Sequence, residues 1–307
     1  MRRALVALGV LVLVACGGVA DPGGPPLEPP RPAATVQGAD GPLAVSRWAA
    51  EGEPRALVLA LHGYGDYAET IWPDAAAVWT ARGLEVWAYD QRGFGRNPTN
   101  RDWPGHEALV ADLEAVAAAV RAARPGLPLA VVGHSMGGGV ALAAAGEGRL
   151  DADALVLMAP AVWGGDQLSP VYRAGAWLGA QLFPDLRFSR AASPVPIRPT
   201  DNLARLDAIS EDPLRFADPS PREFLGLIRL MDRAVEAAPK AASSPVLTVM
   251  GARDEVIPED SVRAAHAALP GPKTFDYVED GWHMLPIDLG APEMLARVAD
   301  WILETTE

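Results

Sequence analysis

The chain has 307 residues, of which 50% are apolar and 21% charged, a composition that excludes disorder throughout and suits one large domain or two small ones. A net charge of −13, from 39 acidic against 26 basic side chains, leaves no cationic surface for a phosphate backbone, so nucleic acid is not an expected partner. The single cysteine, Cys16, excludes an internal disulfide, and no Cys/His cluster offers a tetrahedral metal site; neither a metal nor a cofactor is expected.

Arg2 and Arg3 precede an apolar run from Ala4 to Val14, well short of the about 20 residues that cross a bilayer as a helix and of the form of a secretory signal. The run ends in Leu13-Val14-Ala15-Cys16-Gly17, which resembles the bacterial lipobox, where a diacylglycerol is joined to the cysteine sulfur and the peptide is cut just before it. The resemblance implies that residues 1–15 are removed and that Cys16 becomes the lipidated first residue of an exported, membrane-anchored lipoprotein. Gly17 rather than Asp after the cysteine points to the outer membrane or cell surface. A plain export signal that happens to contain a cysteine is the alternative. Residues 16–34 are rich in Pro and Gly, with too little apolar surface to pack, and read as a tether. Residues 35–307 are the expected folded body.

From Thr35 the chain alternates short apolar runs with Ala-rich helical stretches, which implies a mostly parallel sheet with helices on both faces. Strands are expected at Leu43–Trp48, Ala56–Leu61, Leu84–Tyr89, Leu129–Val132, Ala154–Met158, Val246–Met250 and Thr274–Val278; most are apolar throughout, as strands buried on both faces should be. Helices are expected at Thr70–Ala81, His106–Ala123, Met136–Glu147, Ser261–Leu269 and Pro292–Glu304, with Asp260 and Ala291-Pro292 as start signals. The interval from about 160 to 244 breaks the rhythm. Its prolines and two apolar helical stretches, Val171–Phe183 and Arg222–Ala234, read as an inserted helical cap.

Gly133-His134-Ser135-Met136-Gly137 lies directly between a buried strand and an Ala-rich helix. This is G-x-S-x-G in the setting of a nucleophile elbow, a turn tight enough that a Cβ at Gly133 or Gly137 would collide with a neighbouring element. A serine hydroxyl is a poor nucleophile at neutral pH and needs a base held by a third group. Of five histidines, His134 fills the variable position of the elbow, His62 precedes a glycine after a strand, His106 opens a helix and His266 lies within one; each reads as structural. His283 sits in a loop between the last strand and the last helix, where it can reach the elbow, and is the expected base. Asp254 follows the penultimate strand and is the expected acid, ahead of Asp90, Glu255 and Asp280. The oxyanion of acyl transfer also needs donors. His62-Gly63-Tyr64 supplies the backbone N–H of Tyr64, and the residue after the nucleophile supplies that of Met136. The Tyr64 side chain either adds a hydroxyl near the pocket or forms its wall, and Arg92 in the loop after Tyr89 is expected to pair locally.

His62-Gly63-Tyr64-Gly65, Tyr89-Asp90-Gln91-Arg92-Gly93-Phe94-Gly95, Gly133 to Gly138, Gly251 to Pro258 and Asp280 to His283, in this order, resemble the α/β-hydrolase superfamily. The stretches HGYGDYAETIW and YDQRGFG, with a cap ending in EDPLRF and LGLIRLMDRA, resemble its lysophospholipase and monoacylglycerol lipase branch, which is often joined with the serine aminopeptidases. The similarity spans residues 43–304. Asn97 departs from the small hydroxyl residue usual after the RGxG turn, and Asp66 from the glutamate frequent in monoacylglycerol lipases.

The resemblance implies a serine hydrolase that cleaves carboxylic esters of small or single-chain acyl lipids through an acyl-enzyme. Ser135 would be the nucleophile, His283 the base and Asp254 its orienting acid. Trp163, Tyr172, Trp177, Leu178, Leu182, Phe183, Phe224, Leu227, Ile228 and Met231 either line an apolar slot over the serine or pack the cap on the body. The absence of a basic cluster favours a neutral glyceride over a lysophospholipid. Two other readings compete. An aminopeptidase of the prolyl type would hold its substrate amine on cap carboxylates such as Asp166, Asp201, Asp207 or Glu211, and a catalytically silent surface lipoprotein would only bind. Serine at the elbow argues against the dehalogenases and epoxide hydrolases of this fold, which use aspartate.

Overall fold

The computed structural model describes residues 34–99, 101–187, 197–241 and 244–306. The expected signal, Cys16 and nearly all of the tether lie outside these residues.

Eight strands form one sheet in the order β1-β2-β4-β3-β5-β6-β7-β8: β1 (Thr35–Gly38), β2 (Gly41–Trp48), β3 (Ala56–Leu61), β4 (Leu84–Tyr89), β5 (Leu129–His134), β6 (Ala154–Met158), β7 (Val246–Gly251) and β8 (Lys273–Val278). From β4 to β8 every neighbouring pair is parallel, and β1 and β2 add an antiparallel edge. The alternation of Cβ directions along a strand divides the core in two. In β3, Leu57, Leu59 and Leu61 pack on one face beneath α3 (His106–Ala123) and α4 (Met136–Gly146). Ala56, Val58 and Ala60 point to the other face, where α1 (Ala68–Ile71), α2 (Pro73–Thr80) and α9 (Ala291–Thr306) bring Trp72, Trp79 and Val298. All six β3 side chains are fully buried, and at about 1.5–3 kcal/mol for each large aliphatic group they are a main source of stability. Trp79 Nε1–H donates to the Leu295 carbonyl at 3.0 Å and ties α2 to α9.

The expected single helix over Thr70–Ala81 is two helices. Pro73 has no N–H to donate into a preceding turn, so the chain breaks at Trp72 and restarts with Pro73 in the first turn of α2. Helix α8 (Glu259–Ala268) begins one residue before the expected Asp260 signal, its N-cap being Pro258. Arg92 does not pair locally. Its guanidinium grips Asp112 of α3 with two bonds of 2.8 Å and the Asp40 carbonyl at 2.9 Å, fastening the loop after β4 to the next helix and to the β1–β2 turn.

Between β6 and β7 lie α5 (Pro170–Leu182), α6 (Leu203–Ser210) and α7 (Pro221–Ala237). Helix α7 serves both the inserted segment and the body. Its Leu230 and Ala234 join the core of the α4 face, while Ile228 and Met231 pack with Ala161, Leu168 and Ala176 in a separate cluster. Trp163, Tyr172, Phe224 and Leu227 lie against that cluster half-buried. Trp177, Leu178, Leu182 and Phe183 are exposed, as is Val171 at the start of α5.

Candidate active site

The turn from β5 into α4 places Ser135 at φ 50° and ψ −116°, a conformation that costs an L-residue strain and persists only where its surroundings enforce it. The enforcement is visible in the glycines. A Cβ on Gly137 would fall 2.5 Å from the Leu61 carbonyl oxygen, and one on Gly133 would meet the Gly137 carbonyl at the same distance. The Ser135 N–H donates to the Met158 carbonyl (3.0 Å), and its own carbonyl accepts from Ala161 (2.8 Å), so β6 grips the turn from the side.

Three loops at the carboxyl ends of β5, β7 and β8 converge here. Ser135 Oγ–H donates to His283 Nε2 at 3.0 Å, and His283 Nδ1–H donates to Asp254 Oδ2 at 2.8 Å. The other Asp254 oxygen accepts the N–H groups of Val256 (2.7 Å) and Ile257 (2.9 Å), which fixes the carboxylate plane. Asp90, Glu255 and Asp280 face elsewhere. Asp90 is held by Arg96 and by the Ala68 N–H, Glu255 accepts from the Arg198 N–H, and Asp280 pairs with Arg253.

Burial pulls the His283 pKa down, but the Asp254 carboxylate beside it wins and leaves it above the ordinary 6.5. Burial alone would raise Asp254, yet His283 and the two backbone donors hold it below its usual 3.8. A general base works only when neutral. Activity that depends on His283 is therefore expected to rise with pH through an inflection above 6.5, with no second loss near neutrality from Asp254. A kcat/KM profile on a soluble p-nitrophenyl ester checks this, and an inflection below 6.5 contradicts it. For stability the signs oppose. The raised His283 contributes below 6.5, and its contribution is lost as pH rises through its folded value; the lowered Asp254 contributes above 3.8, and its contribution is lost as pH falls through its folded value.

The remaining histidines serve the frame. His134 Nε2–H donates to the His283 carbonyl at 2.9 Å, so the elbow holds the loop that carries the base. Its burial, with His283 adjacent, pushes its pKa down to about 4 and keeps it neutral. His62 Nδ1–H donates to the Gly63 carbonyl (2.8 Å), while its Nε2 accepts the Gln91 N–H (2.8 Å). His266 bonds Thr248, and His106 lies beside Glu107.

The turn after β3 lies beside Ser135. A Cβ on Gly63 would come within 3.3 Å of the Ser135 Cβ, so the next peptide, with the Tyr64 N–H, borders the nucleophile. Met136 is the first residue of α4, and its N–H therefore has no acceptor within the helix. The Tyr64 side chain packs edge-on against Phe94 and Phe216, and its hydroxyl donates to Glu223 at 2.8 Å. Glu223 was not among the residues singled out in the sequence. Its only signal was the Ser220-Pro-Arg-Glu pattern of a helix start. Asn97 lies in the scaffold, accepting from the Ala44 N–H and donating to the Asp90 and Gln91 carbonyls. Asp66 is buried and ion-paired with Arg215 at 2.6 Å.

A serine bonded to a histidine that a carboxylate holds suits acyl transfer, and the comparisons with known proteins agree in kind. Residues 52–290 match the family described as serine aminopeptidase, S33. A monoacylglycerol lipase of Mycolicibacterium smegmatis is 32% identical over 222 residues, covering 69% of this chain and 74% of its own. The human monoglyceride lipase is 28% identical, with 85% of each chain covered. Among solved structures, a soluble variant of the Saccharomyces cerevisiae monoglyceride lipase superposes with a TM-score of 0.75 at 18% identity, over 94% of this chain and 100% of that one. At that identity the superposition speaks for the fold.

Proposed function

The chain belongs to the serine aminopeptidase S33 family, and we propose that it is a serine carboxylic ester hydrolase acting on single-chain acyl esters of the monoacylglycerol type. The observation that carries the mechanism is the unbroken relay from Ser135 through His283 to Asp254, with bonds of 3.0 and 2.8 Å. His283 takes the Ser135 proton as Oγ attacks the ester carbonyl, and the Tyr64 and Met136 N–H groups receive the developing oxyanion. His283 then returns the proton to the departing alcohol. Water, activated by the same imidazole, attacks the acyl-enzyme and frees the acid. Asp254 keeps the Nδ1 proton in place and stabilises the imidazolium without taking the proton itself.

Two features favour a neutral lipid ester over a peptide. An aminopeptidase must hold a cationic amine on a free carboxylate, and of the cap candidates Asp201 is already engaged, accepting the Leu289 N–H at 2.8 Å. The buried cap carboxylate nearest the oxyanion turn, Glu223, is occupied by Arg187, Tyr64 and its own helix start. The relatives named as monoacylglycerol lipases act on the ester class proposed here. The expected ratio of kcat/KM for a medium-chain monoacylglycerol over prolyl p-nitroanilide exceeds about 100-fold. A reversed ratio, with the anilide turned over faster, would replace the esterase by a peptidase.

The site of action rests on the amino-terminal sequence. A diacylglycerol on Cys16, carried by the Pro/Gly-rich tether, would hold the enzyme at a membrane surface. There the exposed Val171, Trp177, Leu178 and Leu182 of α5 would meet the lipid that supplies the substrate. On fractionation of the producing bacterium, the full-length protein is expected with the membranes and the Cys16→Ser variant in the soluble fraction. A variant that stays membrane-bound would refute the lipid anchor.

A further inference from the structure

The turn that carries the Tyr64 N–H comprises residues 62–67, between the end of β3 and the start of α1. The body holds it at both ends, through the bonds of His62 to Gly63 and Gln91 and of Tyr67 to Thr70, and the Tyr64 ring rests on Phe94 and Trp103. The inserted segment between β6 and β7 adds one hydrogen bond to each of residues 64–67. Tyr64 Oη donates to Glu223 Oε2 at 2.8 Å, and the Gly65 carbonyl accepts the Phe216 N–H at 3.0 Å. Asp66 Oδ1 accepts Arg215 Nε at 2.6 Å, and Tyr67 Oη donates to Asp212 Oδ2 at 2.5 Å. Four consecutive residues of the turn thus run against four of the cap in reverse order. At Gly65, with φ +75°, a Cβ would lie 1.8 Å from the Phe216 carbonyl oxygen, so the two backbones meet where no side chain fits.

Glu223 is the hub of this contact. It is 3% exposed. Its Oε2 also accepts the Ser220 N–H (2.7 Å) and Arg187 Nη1 (3.0 Å), and its Oε1 accepts Arg187 Nη2 (2.8 Å). Within the cap the carboxylate is already neutralised and fixed, so the Tyr64 hydroxyl docks on a rigid acceptor. Burial, reinforced by the facing carboxylate, pushes the Tyr64 phenol far above its usual pKa, and it remains a donor at every working pH.

We propose that Tyr64 and Glu223 are positioning residues through which the cap aims the Tyr64 N–H at the oxyanion, so that displacing the cap withdraws a catalytic donor. This rests on the serine-hydrolase reading given above. An N–H aimed at a developing charge acts in the transition state more than in substrate binding. Loosening the aim therefore lowers kcat and spares KM, whereas loss of packing alone would change the melting temperature without that split.

The test uses Tyr64→Phe, which keeps the ring and the N–H, and Glu223→Ala, which removes the acceptor while the backbone N–H of residue 223 can still donate to Ser220 Oγ at the start of α7. With p-nitrophenyl butyrate, each is expected to lower kcat about 10-fold while KM stays within about 2-fold. The inhibition constant of a trifluoromethyl ketone, which forms a tetrahedral adduct with a serine, should rise by the same factor. The double variant should be no worse than the more impaired single one, because both break one link. Amide exchange of residues 63–67 is expected to quicken in both variants while that of residues 129–134 stays as in the wild type. Unchanged kcat, or a loss confined to KM, overturns the proposal, as does unaltered exchange. Quickened exchange in variants of a chain whose wild type shows no Ser135-dependent turnover would overturn the oxyanion role together with the reading beneath it, and so separates the two failures.

Discussion

Ser135→Ala is expected to lower turnover of p-nitrophenyl and monoacylglycerol esters by about a million-fold while leaving the melting temperature within a few degrees of the wild type. The two parts of this result have separate causes. Chemistry is lost because no other hydroxyl has a bond to His283 Nε2 among the described residues, and water held in place of Oγ lacks the entropy advantage of a fixed nucleophile. The fold is kept because the elbow is held by backbone groups, those of Met158, Ala161 and Leu61, none of which involves the Ser135 side chain. What remains should be the residual rate that oxyanion donors and binding provide over water, about a thousand-fold. Steady-state assays beside a thermal melt read both parts, and undiminished turnover would remove Ser135 from the mechanism.

Asp254→Asn is expected to cost about ten thousand-fold in kcat at neutral pH. The direction follows from the local bonds. Oδ1 of Asp254 accepts two backbone N–H groups, from Val256 and Ile257. An asparagine must present its carbonyl oxygen to those donors, since its NH2 cannot accept. The NH2 then faces His283 Nδ1, now at 2.8 Å from Oδ2, and forces that nitrogen to be the acceptor. The imidazole proton moves to Nε2 and points at Ser135, where a base must have a lone pair. The same change removes the carboxylate that raises His283, so whatever activity survives should show its inflection at lower pH than the wild type. Measuring kcat and the pH profile of the variant together tests both consequences. A loss of only a few-fold would mean that Asp254 merely caps the loop after β7.

How much of this was legible in the sequence depends on whether a feature is set by the backbone or by packing between distant elements. The strands at Ala56–Leu61, Leu84–Tyr89 and Ala154–Met158 have the expected bounds, because fully buried parallel strands are nearly pure apolar runs. Strand β1 was not expected. Thr35–Gly38 alternates exposed and buried residues on the sheet edge, and four residues with a terminal glycine carry little pattern. Helix α6 was missed for a like reason, only Ile209 of its eight residues being buried. The break at Pro73 is carried by the residue itself, which has no N–H to continue the preceding helix. The convergence of Ser135, Asp254 and His283 was legible because the loops after β5, β7 and β8 all leave the carboxyl edge of one parallel sheet.

The grip of the cap on residues 64–67 was not legible. Tyr64 and Glu223 are 159 positions apart, and no periodicity reports which loop an inserted segment will cover. Arg92 also reaches beyond its own loop, its partner Asp112 lying 20 positions on, in the next helix α3. Long polar side chains reach partners that local sequence does not name.

The acyl-enzyme is the species that separates this mechanism from every other ester hydrolysis. Wild-type protein quenched with acid during turnover of a monoacylglycerol, digested and weighed by mass spectrometry, is expected to carry one acyl group on the peptide that contains Ser135. The label should vanish in Ser135→Ala and should accumulate when deacylation is slowed at low pH. Rapid turnover with no acylated peptide, or an acyl group on any other residue, would contradict it.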